Sequence, residues 1–370
     1  MVQTIRYGLI GAGTMGQEHL RNLALIPGSL VTAMADPHTA SLRTALTHTR
    51  DQPQCFASAE ALLESGLCDA LIVASPNDQH FGLLSKLFVH GPVLPFLVEK
   101  PVCTTGEDVL ALDEFARHYA APVWVGMEYR YMPPVQAVRA ELAAGAAGDV
   151  RMIAMREHRF PFLVKVGDWN RFARRTGGTL VEKCCHFFDL MRLIAGADAV
   201  RVYASGGADV NHRAEIYNGE VPDIIDNAFV IIDFANGCRA ALDLCMFAQG
   251  SGWQEEFAVT GSAGKVECFV PPDENFSTAG AGRKAEIIVS PRQPQGPRRR
   301  EIEVDADVLK AGHHHGATYF QHLGFRKTVL EGTPVAVCLT DGLKAVVIGL
   351  AAELSIREHR AIAIDGLKFG

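Results

Sequence analysis

In the first third of the chain, hydrophobic residues come in short runs separated by stretches where they recur at helical spacing. Ile5–Ile10 is an apolar run that breaks into Gly11-Ala12-Gly13-Thr14-Met15-Gly16. Residues 18–26 carry Leu20, Leu23 and Leu25 at helical spacing, and Pro27-Gly28 stops them. Ser29–Ala35 predicts a second strand, ending at Asp36-Pro37. The alternation continues with a strand over 70–74, a helix over 78–89, a strand over 96–99, a helix over 107–119 and a strand over 123–126. Strands alternating with helices of this length predict an α/β fold, with a doubly wound parallel sheet covered on both faces.

Beyond residue 126 the pattern changes. A strand is expected over 150–159 and a helix over 180–194. Strand-like runs then follow at 200–205, Asn227–Phe234, 239–247, 255–260 and 265–270. Asn236-Gly237 and Gly261-Ser262-Ala263-Gly264 stand between these runs where hairpin turns belong. Successive strands without helices between them predict a mostly antiparallel sheet. Residues 271–300 are rich in Pro, Gly and Arg and read as a surface excursion, with Arg298-Arg299-Arg300 a solvated charge run. Helices over 317–330 and 341–357 and a short strand over 361–364 end the chain. The expected organisation is two domains, 1–126 and 127–370.

Composition narrows the functional classes. Hydrophobic residues are 48% and charged residues 21% of 370, an ordinary globular balance. With 35 basic against 42 acidic side chains and a net charge of -7, the balance argues against a nucleic-acid binder, which would usually show a concentrated basic face. No apolar run approaches the ~18–20 residues of a membrane span. The first residues, Met1-Val2-Gln3-Thr4-Ile5-Arg6-Tyr7, lack the layout of a signal peptide. Nine scattered cysteines read as reduced thiols, so a cytoplasmic location is expected.

Gly11, Gly13 and Gly16 fill the G-x-G-x-x-G spacing between a strand and a helix. The first glycine permits the tight turn, the second lets a pyrophosphate approach the backbone, and the third lets helix pack on strand. The helix N-terminus then offers N–H groups and a partial positive charge. Glycine-rich turns are common, but here Asp36 ends the second strand, 20 residues past Gly16. A carboxylate there accepts hydrogen bonds from ribose hydroxyls and repels a 2′-phosphate, which favours NAD over NADP.

Further motifs lie at the ends of the next strands: Ser75-Pro76-Asn77, then Glu99-Lys100-Pro101 with Gly106 beyond it. Later come Gly177-Gly178-Thr179-Leu180-Val181-Glu182, His186, Asp189-Leu190, residues 316–323 and Asp341-Gly342-Leu343. Together these resemble the Gfo/Idh/MocA family of oxidoreductases, in its sugar- and inositol-dehydrogenase branches. The resemblance implies an N-terminal Rossmann domain and a C-terminal domain on a large open sheet used for oligomer contacts. It also implies NAD(P)-linked oxidation of a secondary alcohol on a sugar, cyclitol or related polyol. A homo-oligomer, dimer or tetramer, is expected. By the same resemblance, the cofactor is held by Gly11, Gly13, Thr14, Met15, Gly16, Asp36, Ser75, Pro76, Asn77, Glu99 and Lys100. Two relatives in function compete: a glycosidase that oxidises its substrate transiently on tightly held NAD, and a cofactor-binding regulator without turnover.

Lys100 and His186 match the family's active-site lysine and histidine. An imidazole titrating near pH ~6.5 suits the uptake of the hydroxyl proton. Lys100 suits a hydrogen bond to the same oxygen, and a nearby nicotinamide cation would lower its pKa and make it a rival base. Glu182 stands where the family usually has Asp, four residues before His186, and on one helix the two would share a face. Asp189 reads as an anchor of the helix. Where the family often shows Asn and two basic residues, this chain has Glu128, Tyr129 and Arg130. Glu128 and Arg130 are candidates for substrate contact, Glu128 as an acceptor from a polyol hydroxyl. Trp169 offers an aromatic wall. Of His313-His314-His315, adjacency argues against a shared metal, and the resemblance puts one, taken as His315, near the substrate. No metal is expected. Cys184-Cys185 read as core packing, His19 as packing beneath the glycine turn, and Pro101 as the site of a cis bond.

Overall fold

The computed structural model describes residues 3–367 except 274–277, 281 and 294, so part of the 271–300 stretch lies outside it. The N-terminal run forms β1 (Ile5–Ile10), α1 (Thr14–Leu23), β2 (Ser29–Ala35), α2 (Thr39–Leu46), β3 (Gln54–Phe56), α3 (Ala59–Glu64) and β4 (Ala70–Val73). Next come α4 (Asn77–His90), β5 (Phe96–Val98), α5 (Gly106–Ala116) and β6 (Val123–Val125). The six strands pair in parallel in the order β3-β2-β1-β4-β5-β6. All four residues of β4 are buried, as expected of a strand covered on both faces. The order reverses between β1 and β4, and a doubly wound sheet binds ligand at the carboxyl ends of the strands flanking such a reversal.

The next stretch forms α6 (Pro133–Ala143), β7 (Val150–His158), α7 (Ala173–Thr176), α8 (Thr179–Glu182) and α9 (Cys185–Ala195). Seven strands follow: β8 (Ala199–Gly207), β9 (Asn227–Phe234), β10 (Arg239–Cys245), β11 (Glu255–Gly261), β12 (Gly264–Val270), β13 (Ala285–Pro291) and β14 (Arg298–Ile302). Two features differ from the sequence expectation. The helix expected over 180–194 is two, separated by Lys183 and Cys184. The excursion contributes β13 and β14, an edge pair in which Arg298 and Arg300 stand 3.7 and 3.9 Å from Glu141, and Arg299 stands 3.4 Å from Glu286. Charged side chains on an exposed edge strand discourage pairing with another chain.

The chain closes with α10 (Ala306–Ala311), α11 (Ala317–Glu331), α12 (Leu339–Glu358) and β15 (Ile362–Ala363). With β15 the second sheet has nine strands, ordered β14-β13-β12-β11-β7-β10-β9-β8-β15 and antiparallel throughout except where β10 meets β7. Two compact units result, and they divide the chain otherwise than by one cut after 126. Everything up to Glu128 groups with Asp305–Val346, and Tyr129–Val304 groups with the chain from Val347 onward. The physical reason lies in α1, whose buried face carries the polar residues Glu18, His19 and Asn22. Buried polar groups need partners, and the returning segment supplies them: Asn22 and Arg21 donate to the carbonyl of Ala311, and Thr318 Oγ1 lies 2.8 Å from Glu18. Among the described residues no helix is long and apolar enough to cross a membrane.

Candidate functional site

In the first unit, β1 ends at Gly11, whose φ of +94° L side chains rarely adopt. A Cβ there would sit 2.5 Å from the Ala74 carbonyl, and one on Gly16 would sit 2.1 Å from the Gly11 oxygen. At Gly13, by contrast, a Cβ would meet nothing within 4 Å. The open side of the turn is therefore at Gly13, where α1 begins without a side-chain cap. Such uncapped N–H groups suit a pyrophosphate. Asp36 accepts from the backbone N–H of Ala12 at 2.8 Å through one oxygen and from that of His38 at 2.7 Å through the other. It ties the end of β2 to the glycine turn, a task its place in the sequence did not disclose.

Ser75 and Pro76 follow β4, and Asn77 opens α4. Glu99 follows β5, and the Lys100–Pro101 bond is cis. These two loops share a buried residue that sequence reasoning missed. The His80 ring nitrogens lie 2.7 Å from the Pro101 carbonyl and 2.9 Å from that of Ser75. Burial pushes this imidazole's pKa down, and a neutral ring donates to one carbonyl at a time. The Ser-Pro-Asn and Glu-Lys-Pro segments are thus held by one side chain.

Behind Lys100 lies a buried chain of ionisable groups. Glu99 Oε1 is 3.1 Å from His19 Nε2, and His19 Nδ1 is 2.9 Å from His322 Nε2. Burial, then the neighbouring His19, hold His322 far below its ordinary pKa, so it is neutral. With Glu99 on one ring nitrogen and His322 on the other, His19 is a hydrogen-bonding residue as well as a packed one. Thr318 Oγ1 lies 2.8 Å from Glu18 and 2.6 Å from Glu128 Oε2, while His314 Nδ1 lies 2.8 Å from Glu128 Oε1. Burial alone would raise the Glu128 carboxyl, but His314, Thr318 and Lys100 outweigh it and hold the group below the usual range, as a carboxylate. His314 is thus the member of the histidine run seen on Glu128; it and His315 have φ of +53° and +55°.

In the second unit, Gly177 and Gly178, with φ of +79° and +94°, lead into α8. Glu182 ends α8 and His186 lies in the first turn of α9, both buried. The His186 ring stacks on Tyr129, centroids 4.3 Å apart and planes 7° from parallel. Lys183, which sequence reasoning passed over, is buried with its Nζ 2.8 Å from the Tyr129 hydroxyl and 3.0 Å from Glu157. Arg130 makes a bidentate pair with Asp189, Nε to Oδ2 at 2.6 Å and Nη2 to Oδ1 at 2.5 Å, which anchors α9. Trp169 is half-buried on an irregular turn where Gly167 and Asp168 have positive φ. Burial pushes the Cys184 thiol far above its ordinary pKa, so it is a packing group and not a nucleophile.

Known proteins match the chain in two consecutive segments. Residues 5–127 match the family model described as an oxidoreductase family, NAD-binding Rossmann fold, and residues 139–364 match that family's C-terminal alpha/beta domain. An inositol 2-dehydrogenase of Rhizobium meliloti is 25% identical over 366 residues, covering 98% of this chain and 99% of its own. A myo-inositol 2-dehydrogenase of Thermotoga maritima is 24% identical over 368 residues, with the same coverage. Among solved structures, a levoglucosan dehydrogenase in complex with NADH and levoglucosan superposes with a TM-score of 0.80 at 18% identity, over 98% of this chain and 100% of that one.

Proposed function

We propose a function from one premise, that this chain belongs to the Gfo/Idh/MocA oxidoreductase family. As a nicotinamide-dependent dehydrogenase of that family it acts on CH–OH groups; we infer that its substrate is a sugar, a cyclitol of the inositol kind or a related polyol. One observation carries the reading most: a glycine turn open at Gly13 stands at the carboxyl end of β1, beside the switch point, and the Glu99-Lys100-Pro101 segment follows β5 at the same end of that parallel sheet. The names of the relatives point to the same substrate class.

The proposed cofactor is NAD, because the Asp36 carboxylate beside the turn would repel a 2′-phosphate. Bound there, it would accept hydride from the carbinol carbon. In the proposed chemistry Lys100 donates a hydrogen bond to the reacting oxygen and steadies negative charge on it. His186 takes the hydroxyl proton, leaving a ketone, and Glu182 assists by holding the imidazole or a substrate hydroxyl. Arg130, Trp169 and His315 are proposed to help shape the polyol site, and Glu128 to set its charge. We also propose a homo-oligomer formed through the open face of the nine-stranded sheet, and a reducing, cytoplasmic setting that suits nine free thiols.

The test follows NADH absorbance with purified protein, NAD, and a panel of inositols, aldoses and anhydrosugars, repeated with NADP. Turnover on a panel member is expected. Lys100→Met and His186→Ala should each lower kcat by about 10²–10⁴-fold while leaving NAD affinity nearly unchanged. Equal loss of NAD binding would overturn the role assignment. NAD binding with no NADH formed from any member would instead favour transient oxidation or a regulator.

A further inference from the structure

The second unit holds a buried ionic cluster that the proposed chemistry does not use. Lys183, Glu157 and Glu255 are at most 4% exposed, and Gln254 is 7% exposed. Glu157 Oε1 takes Lys183 Nζ at 3.0 Å and Arg159 Nη1 at 3.4 Å. Glu255 Oε1 takes Gln254 Nε2 at 2.7 Å. Removing an ammonium and two carboxylates from water is costly, and packing alone would be served better by apolar residues. The cluster converges on one atom, the hydroxyl of Tyr129, which accepts from Lys183 at 2.8 Å and donates toward Glu255 at 3.4 Å.

That phenol is held on its other sides too. Phe187 meets its ring edge-on, with centroids 5.4 Å apart at 82°, and Lys183 Nζ lies 5.1 Å from the ring centroid. One face of the ring lies parallel to the His186 imidazole at 4.3 Å. Lys183 precedes His186 by three residues and lies in the break between α8 and α9. The residue that fixes the phenol and the residue that lies against it are thus carried by one short segment. An imidazole stacked on a fixed ring loses freedom to tilt, and an electron-rich phenol face also favours the imidazolium that forms when the ring takes a proton.

We infer that Tyr129 is a positioning residue for His186, and that the Lys183–Glu157–Glu255 cluster holds the Tyr129 ring in place for that task. This deepens the proposed function and rests on His186 being its base. The test uses the whole protein with labelled histidine, in Tyr129→Leu, Tyr129→Phe and His186→Ala. The His186 ring-proton signals, identified by their absence in His186→Ala, are expected to be shifted upfield by the Tyr129 ring current. Tyr129→Leu should abolish that shift and lower kcat about 100-fold with KM within about threefold, the scale of a misplaced catalytic group. Tyr129→Phe keeps the ring but releases it from Lys183, and should lower kcat about tenfold.

Unaltered kcat in Tyr129→Leu with the shift lost, beside an inactive His186→Ala, would overturn the positioning role alone. Full turnover in His186→Ala would overturn the base assignment, and the inference with it. Should melting curves find Tyr129→Leu unfolded, Tyr129→Phe decides: wild-type kcat and an unmoved His186 signal would overturn the inference.

Discussion

At the scale of single residues, Asp36 has two tasks. Each of its oxygens already accepts a backbone N–H, from Ala12 or from His38. A carboxylate oxygen has a second lone pair, so both still have an acceptor site for ribose hydroxyls, and the turn is set before the cofactor arrives. Asp36→Asn replaces one acceptor with an NH2 facing a backbone donor and removes the negative charge. NAD should bind about tenfold more weakly, the size of one charged hydrogen bond, and the gap between NAD and NADP should close. Titration of both nucleotides measures this, and an unchanged NAD/NADP ratio would refute the selectivity argument. His19 makes a different kind of prediction, because its partners Glu99 and His322 are buried with it. His19→Leu strands both, and should destabilise the protein by about 2–3 kcal/mol in denaturant unfolding. If the loss were near zero, the His19–Glu99 hydrogen bond would have no weight in the fold.

At the scale of elements, the start of α8 depends on a residue far along the chain. Glu353 in α12 accepts from the Leu180 N–H at 2.9 Å, and a Cβ on Gly178 would lie 2.3 Å from its Oε1. Burial pushes this carboxyl up to about 7, against a partial offset from the Leu180 N–H. The folded state therefore holds a proton that the unfolded chain, titrating near ~4.5, releases earlier. Its contribution is full below the unfolded value and is lost as pH rises through about 7, so unfolding free energy should fall by about 3 kcal/mol from this group between pH ~4.5 and ~7. Glu353→Gln keeps the acceptor for Leu180 and should flatten that slope in urea melts; an equal slope in both proteins would place the titration elsewhere. None of this was legible from the sequence. The strands β1, β4 and β5 and the glycine turn were legible because continuous apolar runs and glycine spacing are local signals. The break at Lys183 was not, because the residue that stops the helix is held by Glu157 and Tyr129, 26 and 54 residues away. The strand β14 escaped because an exposed charged edge shows no alternation, and the His19–Glu99 pair because 80 residues separate its members.

At the scale of the whole molecule, the face of the second sheet turned to solvent has a pattern that register makes visible. Tyr203, Ile231, Ala241, Ala154 and Ala258 are successive partners across β8, β9, β10, β7 and β11. They form an apolar row with Tyr203 45% and Ile231 52% exposed. On one side the next row is Ser205, Phe229, Asp243, Arg156 and Glu256, with Arg156 paired to both carboxylates at 2.8 and 3.3 Å. On the other it is Arg201, Asp233, Arg239, Met152 and Thr260, with Arg201 on Asp233 at 2.5 Å. An apolar centre edged by satisfied charges is the anatomy of a protein interface, and a monomer seldom leaves such a stripe open to water. Flat and built of short side chains at its middle, the row suits a second copy of the same sheet laid across it. We therefore expect the protein to be a dimer or tetramer in light scattering, and Ile231→Asp to reduce its mass to a smaller species. That substitution buries no charge in the monomer, so its melting temperature after dissociation should fall only by what association contributed. A wild-type protein that scatters as a monomer at micromolar concentration would leave this face to another partner and overturn the assembly proposed here.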